Sequence, residues 1–255
     1  MKNLTHALLF SGLTLSVAQA EVIYSDNFDG AATSLNGVAP DVRPGSETWT
    51  SSNLNADGSI ASVSTTSWLP YAFQNGMIYS ATLASDIAYQ ASSTTPVYFG
   101  FTENDPFNSG NIMGSTQNTY GILAIYRGGG AIFEAGPNND ATDLTLAANN
   151  ELFSSSQDNY EITLVLDTTA ANWTLAAYAG GDSISGTQLD LNGAAAGLLY
   201  DFGGAMSFTG IGMGYHSATF VAENFVLATI PEPGTYALLG GFLAFAAVML
   251  RRRLA

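Results

Sequence analysis

From Glu21 to Ile230 no long window carries apolar residues at helical spacing. Short runs alternate apolar and polar with a period of two, are rich in Ile, Val, Thr, Tyr and Phe, and are broken by Gly, Asn, Asp and Ser. The clearest run spans 159–166, turns through 167–172, and continues over 173–178. Successive side chains of a strand point to opposite faces, so Ile162, Leu164 and Leu166 share one face. Trp173, Leu175 and Ala177 share a face of the second run. Paired antiparallel, the two runs make one apolar surface, with Gly180-Gly181-Asp182 as the following turn. Residues 120–127 and 131–134, joined by Gly128-Gly129-Gly130, predict another hairpin. That triple glycine is not a phosphate loop, because neither Gly-Lys-Ser/Thr nor a helix follows it.

Further strands are expected at 22–24, 48–51, 59–67, 76–83, 97–102, 207–215 and 219–227. Many short strands and scarcely any helix predict an all-β, two-sheet antiparallel jelly-roll sandwich. A β-helix is the second choice, disfavoured because no fixed-period repeat is present. Residues 53–57 and 137–140 are expected as exposed loops.

The two ends read differently. Lys2, an apolar stretch over 7–15 and Ala18-Gln19-Ala20 form a signal peptide over 1–20. Small residues at Ala18 and Ala20 fit the subsites of signal peptidase, so the mature chain is expected to begin at Glu21. The sandwich body is expected over 21–228. From 229 the chain runs through Pro231, Glu232 and Pro233 to an apolar segment over 235–250, then Arg251, Arg252 and Arg253. As a helix that segment is about 24 Å long, short for a bilayer unless snorkelling arginines and local thinning close the gap. The prolines hold the preceding chain extended, and the arginines hold the end on the cytoplasmic side.

Pro-Glu-Pro, a short apolar helix and a terminal basic cluster, in that order, resemble the PEP-CTERM sorting signal of exported proteins in Gram-negative bacteria that make exopolysaccharide. The resemblance implies that Pro231, Glu232 and Pro233 are recognised by an exosortase-type membrane protease and that Arg251 to Arg253 retain the chain until it is cut. It implies an inner-membrane intermediate, followed by the cell surface or extracellular matrix. It covers about 25 residues and carries nothing about the activity of the body.

The body has a second resemblance. The strand–turn–strand over 160–178, the opening 24–29 and the closing 222–227 are similar to the concanavalin-like lectin/glucanase (LamG-like) sandwich. This implies a jelly roll whose first and last strands are neighbours.

Charge narrows the function. The chain has six basic and 21 acidic residues, for a net charge of −15. Between Glu21 and Ile230 only Arg43 and Arg127 stand against 20 acids, a formal charge of −18. Such a body cannot neutralise a phosphate backbone, which excludes nucleic acid as a partner. The absence of cysteine excludes disulfides, thiolate metal sites and a cysteine nucleophile.

Catalytic chemistry is poorly supplied. Glucanases of the concanavalin-like class carry Glu-x-Asp-x-x-Glu on one strand, and the nearest string here is Glu103-Asn104-Asp105-Pro106-Phe107-Asn108. Asn108 cannot donate and recover a proton, and Pro106 lacks the amide a central strand needs. His216 is the only imidazole left after the signal is removed, so neither a serine triad nor a nitrogen-ligated zinc site is expected. Calcium is the one ion with suitable ligands. Asp26, Asn27 and Asp29 end the first strand, Glu223 and Asn224 lie in the last, and neighbouring strands would let these oxygens converge. The loops with Asp57-Gly58 and Asn138-Asn139-Asp140 are weaker ligand sets. Trp49, Trp68, Tyr71, Tyr98 and Tyr126 are candidates for stacking on sugar rings, whereas Trp173 is expected in the core. The expected function is a non-enzymatic surface or matrix protein, structural or glycan-binding. The alternatives are a glycan-active hydrolase with a nonstandard carboxylate pair and an adhesin subunit with an open strand edge.

Overall fold

A computed structural model describes residues 20–61, 65–87, 96–103, 119–125, 130–135, 144–145, 157–191, 199–215, 220–231 and 249. Among the described residues the chain forms fourteen strands: β1 (Glu21–Asp26), β2 (Thr50–Ser52), β3 (Thr65–Pro70), β4 (Ile78–Ile87), β5 (Pro96–Thr102), β6 (Thr119–Ile125), β7 (Gly130–Ala135), β8 (Leu144–Thr145), β9 (Gln157–Asp167), β10 (Thr174–Ala179), β11 (Thr187–Gln188), β12 (Tyr200–Asp201), β13 (Gly210–Tyr215) and β14 (Phe220–Ile230). They build two seven-stranded antiparallel sheets. One runs β1-β14-β4-β9-β10-β11, with β12 also paired to β10; the other runs β2-β3-β13-β5-β6-β7-β8. β1 and β14 are neighbours, as the sandwich resemblance implies.

The longest hairpin follows its pattern closely. β9 pairs with β10 from Asp167↔Thr174 to Ile162↔Ala179, and Ile162, Leu164, Leu166, Leu175 and Ala177 are all buried on the shared face. The hairpin expected after Tyr120 also forms, as β6 against β7, although Gly128 and Gly129 of its turn lie outside the described residues.

Aromatic rings bridge the sheets. Phe225 of β14 meets Phe99 of β5 with ring centroids 6.3 Å apart and Trp49 at 5.4 Å, both edge to face. At the other end of the sandwich Phe73 packs on Phe101 at 5.1 Å, and Phe208 packs on Trp173 at 6.0 Å. Burying each such ring stabilises the fold by about 1.5–3 kcal/mol. Tyr24 of β1 adds a polar tie, donating its hydroxyl to the Pro70 carbonyl at 2.6 Å.

Two expectations about loops change. Of the strand expected over 59–67, Thr65 to Ser67 lie in β3, Ser59 and Ile60 make isolated bridges to Val221 and Leu54, and 62–64 lie outside the described residues. Residues 53–57 are not a freely exposed loop: Leu54 and Ala56 are buried, and their backbones bond to Leu35 and Thr33. Two apolar side chains two residues apart, Leu54 and Ala56, peg this segment to the core. The stretch 137–140 lies outside the described residues.

The chain divides into two compact units, Ala20–Ile230 and a second that gathers Met1–Gln19 with Pro231–Ala255. The first holds every strand and every residue of the described core, so it carries a core of its own. In the second only Pro231 and Met249 are described, and Ala18, Glu232, Pro233 and Arg251 to Arg253 are not. Among the described residues no helix is long and apolar enough to cross a membrane; the segment expected to do so, 235–250, lies outside them except for Met249.

Candidate functional site

The expected calcium ligands divide between two faces. Asp26 pairs with Phe225, and directly paired residues share a face, so its carboxylate turns into the core. Both of its oxygens are already accepting: Oδ1 from the Phe28 amide at 2.9 Å and Oδ2 from the Trp49 indole at 2.6 Å. Glu223 and Asn224 are instead exposed, at a bulge between Ala222 and Asn224. Glu223 lies in hydrogen-bonding contact with Asp86 of β4; partial desolvation first, then that neighbouring charge, raises its carboxyl above the ordinary 4.5. Asn27 and Asp29 bond to each other at 3.3 Å, and the Asn27 amide donates to Asp41. The five residues therefore do not meet as one cation site. Among the described residues no group of three or more His, Asp or Glu is arranged to hold a metal. Asp57, of the weaker loop set, accepts from Ser59 instead.

The expected sugar-stacking aromatics also separate. Trp49 is 1% exposed and Tyr98 3%, so neither presents a face to a ligand. The reason for Trp49 is its indole N–H, which finds Asp26 inside the sandwich. Trp68 is half-buried and lies across Gly210 of β13, where a Cβ would strike the indole. Its Nε1 is buried without an acceptor among the described residues. Tyr126 lies outside them, as do 104–108 and His216. Glu103 is described and accepts from the Ser207 amide at 3.4 Å.

Tyr71 differs from the rest. Its ring packs edge to face on Phe73 at 4.8 Å and Tyr79 at 5.9 Å, while remaining partly exposed in a cleft of about 330 Å³. That volume is at the lower end of ligand sites, roughly 300–1,000 Å³. The start of β1 supplies Glu21, Val22 and Ile23; β14 supplies Thr229; β4 supplies Tyr79; and Arg43, Pro44, Gln74 and Met77 close the rim. Thr168, at the end of β9, fixes the rim segment 74–77. Its hydroxyl accepts from the Met77 amide at 3.0 Å and lies 2.7 Å from the Gln74 carbonyl and 2.8 Å from that of Met77.

The cleft combines an aromatic face, an amide, a guanidinium and one carboxylate, a set suited to holding a polyol. Burial, then Tyr79 and Glu21, push the Tyr71 hydroxyl up to about 12, so it stays a neutral donor and acceptor at ordinary pH. Arg43 donates Nη1 to the Glu47 carbonyl at 2.9 Å, which anchors the guanidinium beside the opening. Glycoside hydrolysis needs two carboxyls about 5–9.5 Å apart across the sugar bond. Glu21 is the one carboxylate among the lining residues. Glu223 and Asp86 touch each other, too close for that separation, and neither is among the residues that line the cleft.

Sequence reasoning selected Tyr71 and missed Arg43, Gln74 and Glu21. The signal for Arg43 was its rarity: a cation kept in a body with 20 acids has a local reason to be there. Gln74 had no signal, since its place depends on a turn whose partner, Thr168, is distant in sequence.

No family model matches the chain, and no curated protein matches it. Among solved structures, the Emp47p carbohydrate recognition domain is similar over 81% of this chain and 96% of its own, at 11% identity and a TM-score of 0.45. The metal-free carbohydrate recognition domain of Emp46p is similar over 70% of this chain and 87% of its own, at 14% identity and a TM-score of 0.42. The exoplasmic/lumenal domain of VIP36, solved with Ca2+ and Man3GlcNAc, is similar over 73% of this chain and 84% of its own, at 8% identity and a TM-score of 0.42. At these scores the likeness assigns no family.

Proposed function

We propose that the protein is an exported, non-enzymatic β-sandwich that binds a sugar in the cleft beside Tyr71. The observation that carries this reading is the cleft itself, in which an aromatic ring is left partly open among hydroxyl, amide and guanidinium groups while a single carboxylate is present. Stacking on Tyr71 supplies apolar contact, and Gln74, Arg43 and Glu21 exchange hydrogen bonds with sugar hydroxyls. Among the described lining residues Glu21 is the single carboxylate, one short of the pair that glycoside hydrolysis uses.

Export rests on the terminal segments: a leader over 1–20 removed by signal peptidase, and a tail from Pro231 cut by an exosortase-type protease. The product then resides at the cell surface or in an exopolysaccharide matrix, with the polysaccharide as its partner.

A glycan array on the purified 21–230 body tests the binding, read beside Tyr71→Ala. Retention of selected polysaccharides by the native body and loss of about tenfold in affinity in the variant is the expected result. Silence across the array, or equal binding by the variant, overturns the cleft as a sugar site. Intact mass of the surface form tests the processing, and a mass that retains Arg251 to Arg253 contradicts it.

A further inference from the structure

The cleft stands out for charge. In a body of 20 acids, one of the two cations, Arg43, lines it. Glu21 lines it too, and the Glu21 backbone nitrogen donates to Thr229 Oγ1 at 3.2 Å, with Thr229 itself on the cleft wall. That nitrogen is the atom released when the Ala20–Glu21 bond is hydrolysed. Water adds across the bond, leaving a carboxylate on Ala20 and an amine on Glu21. The amine is an ammonium at neutral pH, with two donors beyond the one directed at Thr229. Removal of the leader therefore places a second positive charge at the opening that already holds Arg43.

We infer that the cleft selects a carboxylated sugar, a uronate, whose carboxylate is held by Arg43 together with the α-ammonium of Glu21 that leader removal creates. The inference rests on the sugar-binding reading of the same cleft. Arg43 has donors to give: Nη1 serves the Glu47 carbonyl, and the guanidinium retains its Nε and Nη2 hydrogens for a planar carboxylate. The Glu21 side chain accepts from ring hydroxyls, so its negative charge is compatible with an anionic ligand that is also a polyol. Elsewhere the anionic body repels such a ligand, which confines it to this opening.

The test uses the 21–230 body with a free Glu21 amine, titrated with a glucuronate oligosaccharide and with its methyl ester, which is neutral and of nearly equal shape. The acid is expected to bind about tenfold more tightly than the ester, with the difference shrinking as salt is raised. Arg43→Gln and N-terminal acetylation are each expected to remove most of that difference, the acid losing more affinity than the ester in both, and acetylation leaving Arg43 and its contacts to the ester in place. Both changes are at exposed positions, and an unchanged melting temperature confirms the fold in each. Equal affinity for acid and ester overturns the inference and leaves the sugar reading standing. Binding of neither overturns both. Preference for the acid that survives acetylation removes the ammonium from the site.

Discussion

Trp49 donates its indole N–H to Asp26 at 2.6 Å within the core, tying the end of β1 to the residue just before β2. The bond joins the two sheets at a point where a bare carboxylate would otherwise be stranded. Burial, the largest influence, raises the Asp26 carboxyl above its ordinary 3.8; the Phe28 and Trp49 donors oppose this, and Asp41 and Asp29 add to it. A raised folded value means that the protonated acid favours the fold. Its contribution is complete below the unfolded value of 3.8 and is lost as pH rises through the higher folded value.

Asp26→Asn removes that titration and turns an amide NH2 toward one of the two donors. The variant is expected to lose about 1–3 kcal/mol. The gap between native and variant should be widest in acid and shrink as pH rises past the folded value. Urea unfolding of both proteins across the acid range checks this. A gap that widens with pH would reverse the sign and sink the account.

The close approach of Gly58 to Ala222 makes a second test. Gly58 has φ near +73°, and a Cβ there would fall on the Ala222 carbonyl oxygen, whose own amide donates to the Gly58 carbonyl at 3.0 Å. Gly76 has a similar φ of +81° but nothing within 4 Å of where its Cβ would sit. Both alanine substitutions carry the left-handed strain, about 1–2 kcal/mol. Only Gly58→Ala must also displace backbone, so it should cost about 3 kcal/mol or more. Equal urea midpoints for the two variants would refute the steric argument.

These residues also show what a sequence can and cannot declare. Ile162, Leu164 and Leu166 were legible because alternation is local: a buried face needs no knowledge of what covers it. The adjacency of β1 and β14 was expected from resemblance and is realised as Asp26↔Phe225. The insertion of β13 between β3 and β5 was not legible, since that register depends on residues more than a hundred positions apart. The two-residue strands β8, β11 and β12 are too short to display any period.

The candidate site residues are placed by contacts that no local pattern displays. Trp49 and Tyr71 are both aromatic residues with a polar tip, and neither declares locally whether it is covered. What separates them is that the Trp49 N–H has a carboxylate inside the sandwich, whereas Tyr71 sits at its edge beside the cleft. Asp26 and Glu223 were grouped because their strands are neighbours. Adjacency of strands does not put side chains on one face, and the bulge after Ala222 leaves Glu223 outside.

The Thr168 hydroxyl, buried beneath the cleft rim, gives the last prediction. It accepts from the Met77 amide, and its single proton serves the Gln74 and Met77 carbonyls, while its own backbone exchanges bonds with Gly76 and Met77 at 2.9 Å each. Thr168→Val keeps the volume but strands the Met77 N–H and a carbonyl. The expected loss is about 2 kcal/mol, or roughly 4–8 °C in melting temperature for a domain of this size. Thr168→Ser restores the hydroxyl and should recover most of it. Because the rim carries Gln74 and Met77, hydrogen exchange at the Gly76 and Met77 amides should accelerate in the valine variant while β9 amides stay protected. Unchanged exchange at the rim, with the melting temperature intact, would mean that the cleft wall is held by something other than this hydroxyl.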